Sequence, residues 1–423
     1  MTKTHADWPL TTIGAEFEIQ QGKSLSPNSR RGVKPRPFLR TSNVLWGRVD
    51  LSTVDQRDFT DEEFSRLSLV DGDLLVCEGG DIGRAAVYHG PSGHFAYQNH
   101  LHRLRAKTDE IIPDFVVHWL RAAFTQLGLY EGVGNKTTIP NLSRARLSQL
   151  QIPKPDPEEQ RQVAGILGSV QRAIQVEAAI CEKLATLKSA TMAKLFREGL
   201  RGEPLKQTEI GEIPESWEVA RLGDIARIGN GSTPKRTNEA YWKDGHIPWI
   251  TSTKIHDVVI TGADEFVTED ALRECHLPMV PRKSLVVAIT GQGKTLGNVA
   301  LLEIDTCINQ HLAYVQFQNP SARPEFYLFF LQSLYPFFRQ VSSAGGSTKG
   351  ALTCGLIANL KVPFPSREEQ QQIAELLLLL TRRHMIATKR SEALSTLFGA
   401  ALTQLMTGGI RIKDLDVAEV SHA

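Results

Sequence analysis

Lys294 and Thr295 are the residues of this sequence that most invite a chemical reading. They close the stretch Ala288-Ile-Thr-Gly-Gln-Gly-Lys-Thr295, which follows the apolar run Leu285-Val-Val. A glycine-bearing turn ending in Lys-Thr can cradle a nucleotide: backbone N–H groups hold the phosphates, the lysine reaches them and the hydroxyl meets magnesium. Such a loop must turn from a strand into a helix, because the helix N-terminus supplies part of the anion site. Here Gly297-Asn298 follows, and then the strand-like Val299-Ala-Leu-Leu-Glu-Ile. An earlier stretch, "LLVCEGGDIGRAAV" (74–87), aligns with 284–301, is shorter and has no Lys-Thr. The residues therefore predict a duplicated β-hairpin whose tip has lengthened in the second copy.

Other chemistries find even less support. The chain has no Pro-Pro, and hence no Asn/Asp-Pro-Pro-aromatic tetrapeptide of an amino methyltransferase. It also has no zincin helix, nucleophile elbow or GxGxxG opening a βαβ unit. Cys275-His276, and Cys307 with His311, could be imagined as metal ligands, but ordinary core or surface roles suit them better. The five cysteines are scattered without a CxxC, which reads as reduced cytosolic thiols. No catalytic residue, metal or cofactor is expected. The N-terminus lacks an apolar signal-peptide core, and the longest aliphatic run, Leu376 to Leu380, is far too short to span a membrane. With 48 basic and 47 acidic residues, a nucleic-acid partner would have to show in local patches.

The 423 residues are long enough for two or three domains, and the sequence is written twice. "PEEQRQVAGIL" (157–167) recurs as "REEQQQIAELL" (367–377), an offset of 210. "KLFREGLR" (194–201) recurs at the same offset as "QLMTGGIR" (404–411). "PFLRTSNV" (37–44) maps to "PWITSTKI" (248–255), "QNHL" (98–101) to "NQHL" (309–312), and Phe115…Leu120 to Phe326…Leu331. The order is globular unit, helix, globular unit, helix. Boundaries follow at 1–155 and 217–365 for the globular units, 156–200 and 366–408 for the helices, 201–216 for a linker and 409–423 for a tail.

Asp156-Pro157-Glu158-Glu159 supplies an N-cap, a proline at the first helical position and a glutamate at the third; Ser366-Arg-Glu-Glu369 repeats the capping box. Heptad-like spacing then nominates Val163, Ile166, Val170, Leu184 and Leu187 on the first helix as helix-helix and partner interface. Ile373, Leu376, Leu380, Leu394 and Leu397 take the same places on the second. Each helix would span about 60 Å. Because the linker is short, the two are expected to pack as an antiparallel coiled coil with pseudo-two-fold symmetry. The globular units read as α+β, with short strands such as "SLVVAITG" and short helices near 113–127 and 324–339.

"IPESWEVARLGDIARIGNGSTPKR" (213–236) followed by "YWKDGHIPWITS" (241–252) resembles the start of a target recognition domain. The hairpin "VCEGGDIGRAAV" (76–87), the junction "PFPSREEQQQIAELL" (363–377) and "LMTGGIRI" (405–412) extend the likeness over nearly the whole chain. The arrangement resembles the specificity (S) subunit of type I restriction-modification enzymes. That resemblance implies two target recognition domains in tandem, each reading one half of a bipartite sequence in double-stranded DNA. It implies helices that set the half-site spacing and dock two methyltransferase subunits, and no catalysis by this chain. Whether motor-nuclease subunits join is left open. So are two other readings, a nucleotide-binding protein using 288–295 and a coiled-coil scaffold without DNA specificity.

Independent support comes from paired polar loops. Lys23, Arg30, Arg31, Lys34, Arg36, Arg40 and Arg48 fall in 19–49 with no acidic residue among them, and Thr41, Ser42 and Asn43 lie in the same stretch. The second copy offers Thr233, Lys235 and Arg236, then Thr251, Ser252 and Lys254. Arg84, Lys136 and Thr137 in the first unit answer to Gln292, Lys294, Asn298, Ser347 and Lys349 in the second. Arginines, hydroxyls and amides on loops are what phosphate and base-edge contacts use. Because the two sets differ, the half-sites should differ, giving an asymmetric, interrupted target.

Overall fold

The computed structural model describes residues 8–24, 34–130, 141–291, 293–344 and 351–412. The chain divides into two compact units, Met1–Ala178 with Lys389–Ala423, and Ala179–Thr388. The long helices Pro157–Glu198 and Arg367–Thr407 each contribute one stretch to either unit.

In the first unit a four-stranded antiparallel sheet runs in the order Phe17–Gln21, Leu101–Ala106, Leu74–Cys77, Ala85–Val87. A three-stranded sheet of Asp55–Asp58, Pro35–Leu39 and Ala96–Tyr97 lies in the same unit. The helix Pro113–Thr125 closes its core with Phe115, Trp119 and Leu120, all buried. The second unit repeats the plan with one strand more: Ala226–Asn230, Leu312–Phe317, Leu285–Ala288, Val299–Leu302, Val259–Ile260. Its aromatic helix, Pro324–Ser333, stops at Leu334 and a second, Tyr335–Ala344, continues from there.

The junction into each long helix explains why "EEQ" recurs. Asp156 accepts the amides of Glu158 and Glu159 at 3.1 and 3.0 Å, and Ser366 accepts that of Glu369. The third-position glutamates reach tertiary partners. Glu369 is buried; it accepts the Trp217 Nε1–H at 3.1 Å and the Leu200 amide at 3.0 Å, with Arg201 at 3.6 Å. Glu159 accepts Trp8 Nε1–H at 3.2 Å and takes Arg411 in a two-pronged pair. Gln160 and Gln370 follow, both fully buried. Gln160 accepts the Ile112 amide and donates to two carbonyls, while Gln370 does the same with Arg323, Ser321 and Pro365. A buried amide so satisfied fixes the direction of the helix.

Within each unit the two helical stretches run antiparallel. Glu159 meets Arg411 and Glu177 meets Arg390 in one; Glu369 meets Leu200 and Thr388 meets Cys181 in the other. The apolar spacing needs correcting. Val163 and Ile373 are buried, while Val170, Leu184, Leu380 and Leu394 are half-buried. Ile166, Leu187, Leu376 and Leu397 are instead 39%, 51%, 39% and 54% exposed. Their neighbours Leu167, Leu377 and Phe398 are buried in their place. One residue on a helix turns about 100°, so two apolar stripes lie side by side and only one faces inward.

A cation–aromatic pair stands at equivalent places with its members exchanged. In the first unit the Arg121 guanidinium lies 4.3 Å from the Phe398 ring, with His118 beside it. In the second, Lys188, the counterpart of Phe398, lies 5.0 Å from Phe329, the counterpart of His118, and donates to Gln332.

Two outcomes follow. Glu369→Ala strands the Trp217 and Leu200 donors and should cost about 3 kcal/mol in denaturant unfolding. Burial, with Arg121 nearby, lowers His118 from 6.5 to about 4. Its neutral form therefore contributes stability that is complete above 6.5 and lost as pH falls toward 4. His118→Phe, which copies Phe329, should flatten that slope, worth up to about 3 kcal/mol, in unfolding curves taken across this window.

Candidate nucleic-acid interface

In the second unit Leu285–Ala288 and Val299–Leu302 form an antiparallel hairpin, with Val287 opposite Val299. The strand on the far side of the tip rules out a phosphate loop. The tip holds its own shape: Asn298 Nδ2 donates to the Lys294 and Thr295 carbonyls at 2.6 and 3.0 Å, and Tyr335 OH donates to Lys294. Gly293 and Gly297 take φ of 74° and 89°, where a side chain would be strained. Asn298, a candidate for base contact, is thus used within the loop.

Side-chain bonds gather the neighbouring loops onto this tip. Thr290 Oγ1 and His311 Nδ1 lie 2.5 Å apart, His311 Nε2 lies 3.2 Å from Gln310, and Thr233 donates to Gln310. His256 Nε2 approaches Thr295 at 3.4 Å, and Thr290 bridges to Ala351. Loops 231–236, 251–256, 289–298 and 309–311 therefore share one polar edge. Lys235 and Lys294 are exposed on it, and neither ammonium forms an ion pair among the described residues. Arg236 is held differently, paired with Glu265 and lying 4.0 Å over Trp242 and 4.8 Å over Trp249. Lys254 sits between Asp264 at 2.9 Å and Asp257 at 3.7 Å, and the Asp264 hydrogen bond raises its pKa. Thr251 bonds Thr253, with Ser252 half-buried between them.

The first unit gathers the equivalent loops with different groups. Arg84, at the hairpin tip, pairs with Asp81 and donates to the Thr41 carbonyl at 2.9 Å. Gln21 donates to Glu78 and to the Asn99 carbonyl, both at 2.9 Å, and the Glu78 carbonyl accepts the Leu142 amide. Ser42 is exposed. Asn43 is buried and fully engaged in the loop, accepting from Arg40 and donating to the Asp50 and Thr53 carbonyls. It is a loop-forming residue and no longer a candidate contact.

The basic stretch looks different once folded. Lys23 pairs with Glu63 at 2.7 Å over the Phe59 ring. Lys34 and Arg36 share Asp61, whose carboxyl is held low chiefly by the Lys34 hydrogen bond, and Arg40 meets Asp55. The acids come from 55–63, beyond the window in which the sequence showed none. Arg30, Arg31, Lys136, Thr137, Gln292, Ser347 and Lys349 lie outside the described residues. Sequence reading missed Glu78 and Asp81 on the first tip, and Thr290 and His256 on the second. The matched "QNHL" and "NQHL" were the signal that pointed nearest to them.

No helix among the described residues is long and apolar enough to cross a membrane, and none of their side chains forms a metal-binding cluster. Cys77 and Cys307 are buried, which pushes their thiols up to about 11.

The type I restriction modification DNA specificity domain family matches the chain twice, over residues 6–186 and 214–395. The chain belongs to this family. Membership makes it a specificity subunit, the component that confers recognition of the DNA target and is not itself catalytic. A putative type I restriction enzyme MjaX specificity subunit from Methanocaldococcus jannaschii is 24% identical over 418 residues, 95% of each chain. The EcoR124I/EcoR124II specificity subunit of Escherichia coli is 24% identical over 266 residues, 62% of each chain. The fold is similar to that of the S subunit from M. genitalium, with a TM-score of 0.65 at 18% identity over 95% of this chain and 96% of that one.

The hairpin geometry sets a direct test. In equilibrium dialysis the purified chain and Lys294→Ala should retain equally little ATP. Retention by the parent that the substitution removes would restore the phosphate-loop reading.

Proposed function

We propose that each globular unit, spanning 1–155 and 217–365, reads one half of an asymmetric bipartite duplex target in the cytoplasm. The observation that carries this is the convergence of matched loops on one edge of each unit with unmatched side chains. Glu78, Asp81 and Arg84 stand in one unit where Thr290, Lys294 and Thr295 stand in the other. Carboxylates accept from the amino edge of cytosine, whereas lysines and hydroxyls meet phosphates and acceptor-rich edges. The helices, each about 60 Å long, act as the spacer between half-sites.

The outward apolar stripe supports docking of two methyltransferase subunits. It recurs at the 210-residue offset: Ile166 with Leu376, Val176 with Ile386, Leu187 with Leu397, all exposed. Paired exposed aliphatics on an otherwise polar helix mark a protein interface. A structure described for complex assembly and conformational transition of the type I R-M system shares the fold at a TM-score of 0.51.

Methylome sequencing of a host with and without the gene should reveal one interrupted motif with dissimilar halves. A continuous palindrome would sink the proposal. In the assembled methyltransferase complex, Lys235→Ala and Lys294→Ala should each weaken duplex binding on all sequences. Each should also reduce the slope of log K against log salt by about 0.9, as measured by titration at several ionic strengths.

A further inference from the structure

A groove of about 460 Å³ runs in the first unit between the hairpin that joins Val44–Leu45 to Arg48–Val49 and the first turns of Pro157–Glu198. A second, of about 270 Å³, continues it past Trp46 to Phe398, sharing Arg48, Gln171 and Gln175. Arg48, Arg161 and Arg172 line the larger part, and Asp114 is the one carboxylate there. Arg161 spends little on its own unit, a 3.5 Å contact with Glu158, and Arg172 donates to Ser169 Oγ.

Three further features show that the unit does not fill this space for itself. Gly165 and Gly168 form part of the floor in mid-helix, where each glycine costs about 1 kcal/mol relative to alanine. A Cβ at Gly165 would meet nothing within 4 Å, and one at Gly168 only Arg172 Nη1 at 3.5 Å, so the unit's own packing does not require them. His118, 4% exposed, lines the groove, and its Nδ1 has no hydrogen-bond partner among the described residues. In the second repeat Glu375 stands for Gly165, Leu378 for Gly168 and Phe329 for His118, and Leu378 packs on that unit's core.

We propose that this groove receives a carboxylate-bearing segment of a partner protein, and that the second unit has no such receptor. The inference rests on the docking reading above and names the methyltransferase as the partner. Arginines with a single acid among them call for an anion. Ile112, Val117, Trp46 and Phe398 between those arginines suit an amphipathic protein segment better than a phosphodiester backbone, which wants donors throughout. Val176, exposed four residues beyond Arg172, joins the groove to the outward apolar stripe. The two methyltransferase copies are then held unequally by a chain whose helices otherwise present the same stripe twice.

The test titrates cognate methyltransferase subunit onto the full chain and counts bound copies by native mass spectrometry. Gly168→Leu installs the residue of the second repeat, and Arg172→Glu reverses the charge; thermal unfolding confirms that both fold. Each should weaken one of the two binding events at least tenfold and leave the other alone. The Arg172→Glu effect should shrink as salt rises. Wild-type affinity at both sites in both variants would overturn the proposal. So would full stoichiometry with weakened duplex binding, which would make the groove a phosphate site. A parent chain that takes up no methyltransferase fails earlier, at the docking reading itself.

Discussion

A glutamate at the third position of each long helix, buried at Glu369 and half-buried at Glu159, is the contact on which the rest depends. Glu369 ties the start of one helix to the tryptophan that opens a recognition unit and to the residues just past the end of the other helix. Glu159 makes the same three-way tie with Trp8 and Arg411. A carboxylate in such a place is costly to bury and tolerable only when its lone pairs are taken. Its partners come from two stretches of chain distant from its own, so satisfying it orients the tryptophan, the helix start and the other helix's end together. The indole half of the tie is then packed edge-on against Phe115 in one unit and Phe326 in the other. The aromatic helices thus inherit their position from a hydrogen bond.

What could be read beforehand was what depends on near neighbours in sequence. The N-caps at Asp156 and Ser366, the proline-led helices at Pro113 and Pro324, and the hairpin at 285–302 are set by residues within a few positions of one another. Two things were not legible. The first was which of two adjacent apolar stripes would turn inward, because Leu167 and Ile166 carry the same hydrophobicity and differ only in angle. The second was the charge state of the loops. Lys23, Lys34, Arg36 and Arg40 read as a basic patch until folding brings Asp55, Asp61 and Glu63 against them. Pairs far apart in sequence leave no local trace. Surface pairs of this sort contribute little stability, yet they decide how much positive charge a loop can offer a phosphate.

The duplicated plan is strict in backbone and loose in side chains, as a recognition scaffold requires. Strand pairings, caps and the buried glutamine recur almost position for position. The hairpin tips share a location and little else, with carboxylates and an arginine on one and hydroxyls and a lysine on the other. The differences fall on polar tip groups outside the hydrophobic cores of the two units.

The exchanged cation–aromatic pair distinguishes the two repeats at equivalent places. Residues 188 and 398 are equivalents contributed by different copies, yet one is a lysine seated on Phe329 and the other a phenylalanine beneath Arg121. A first repeat paired with a duplicate of itself would drive Lys188 against Arg121 and His118, a clash of charge in a half-buried site. A second repeat paired with itself would set Phe398 on Phe329 with no cation between them. Each site thus keeps one cation and one aromatic ring, and the difference between the repeats extends from the loops into the interior.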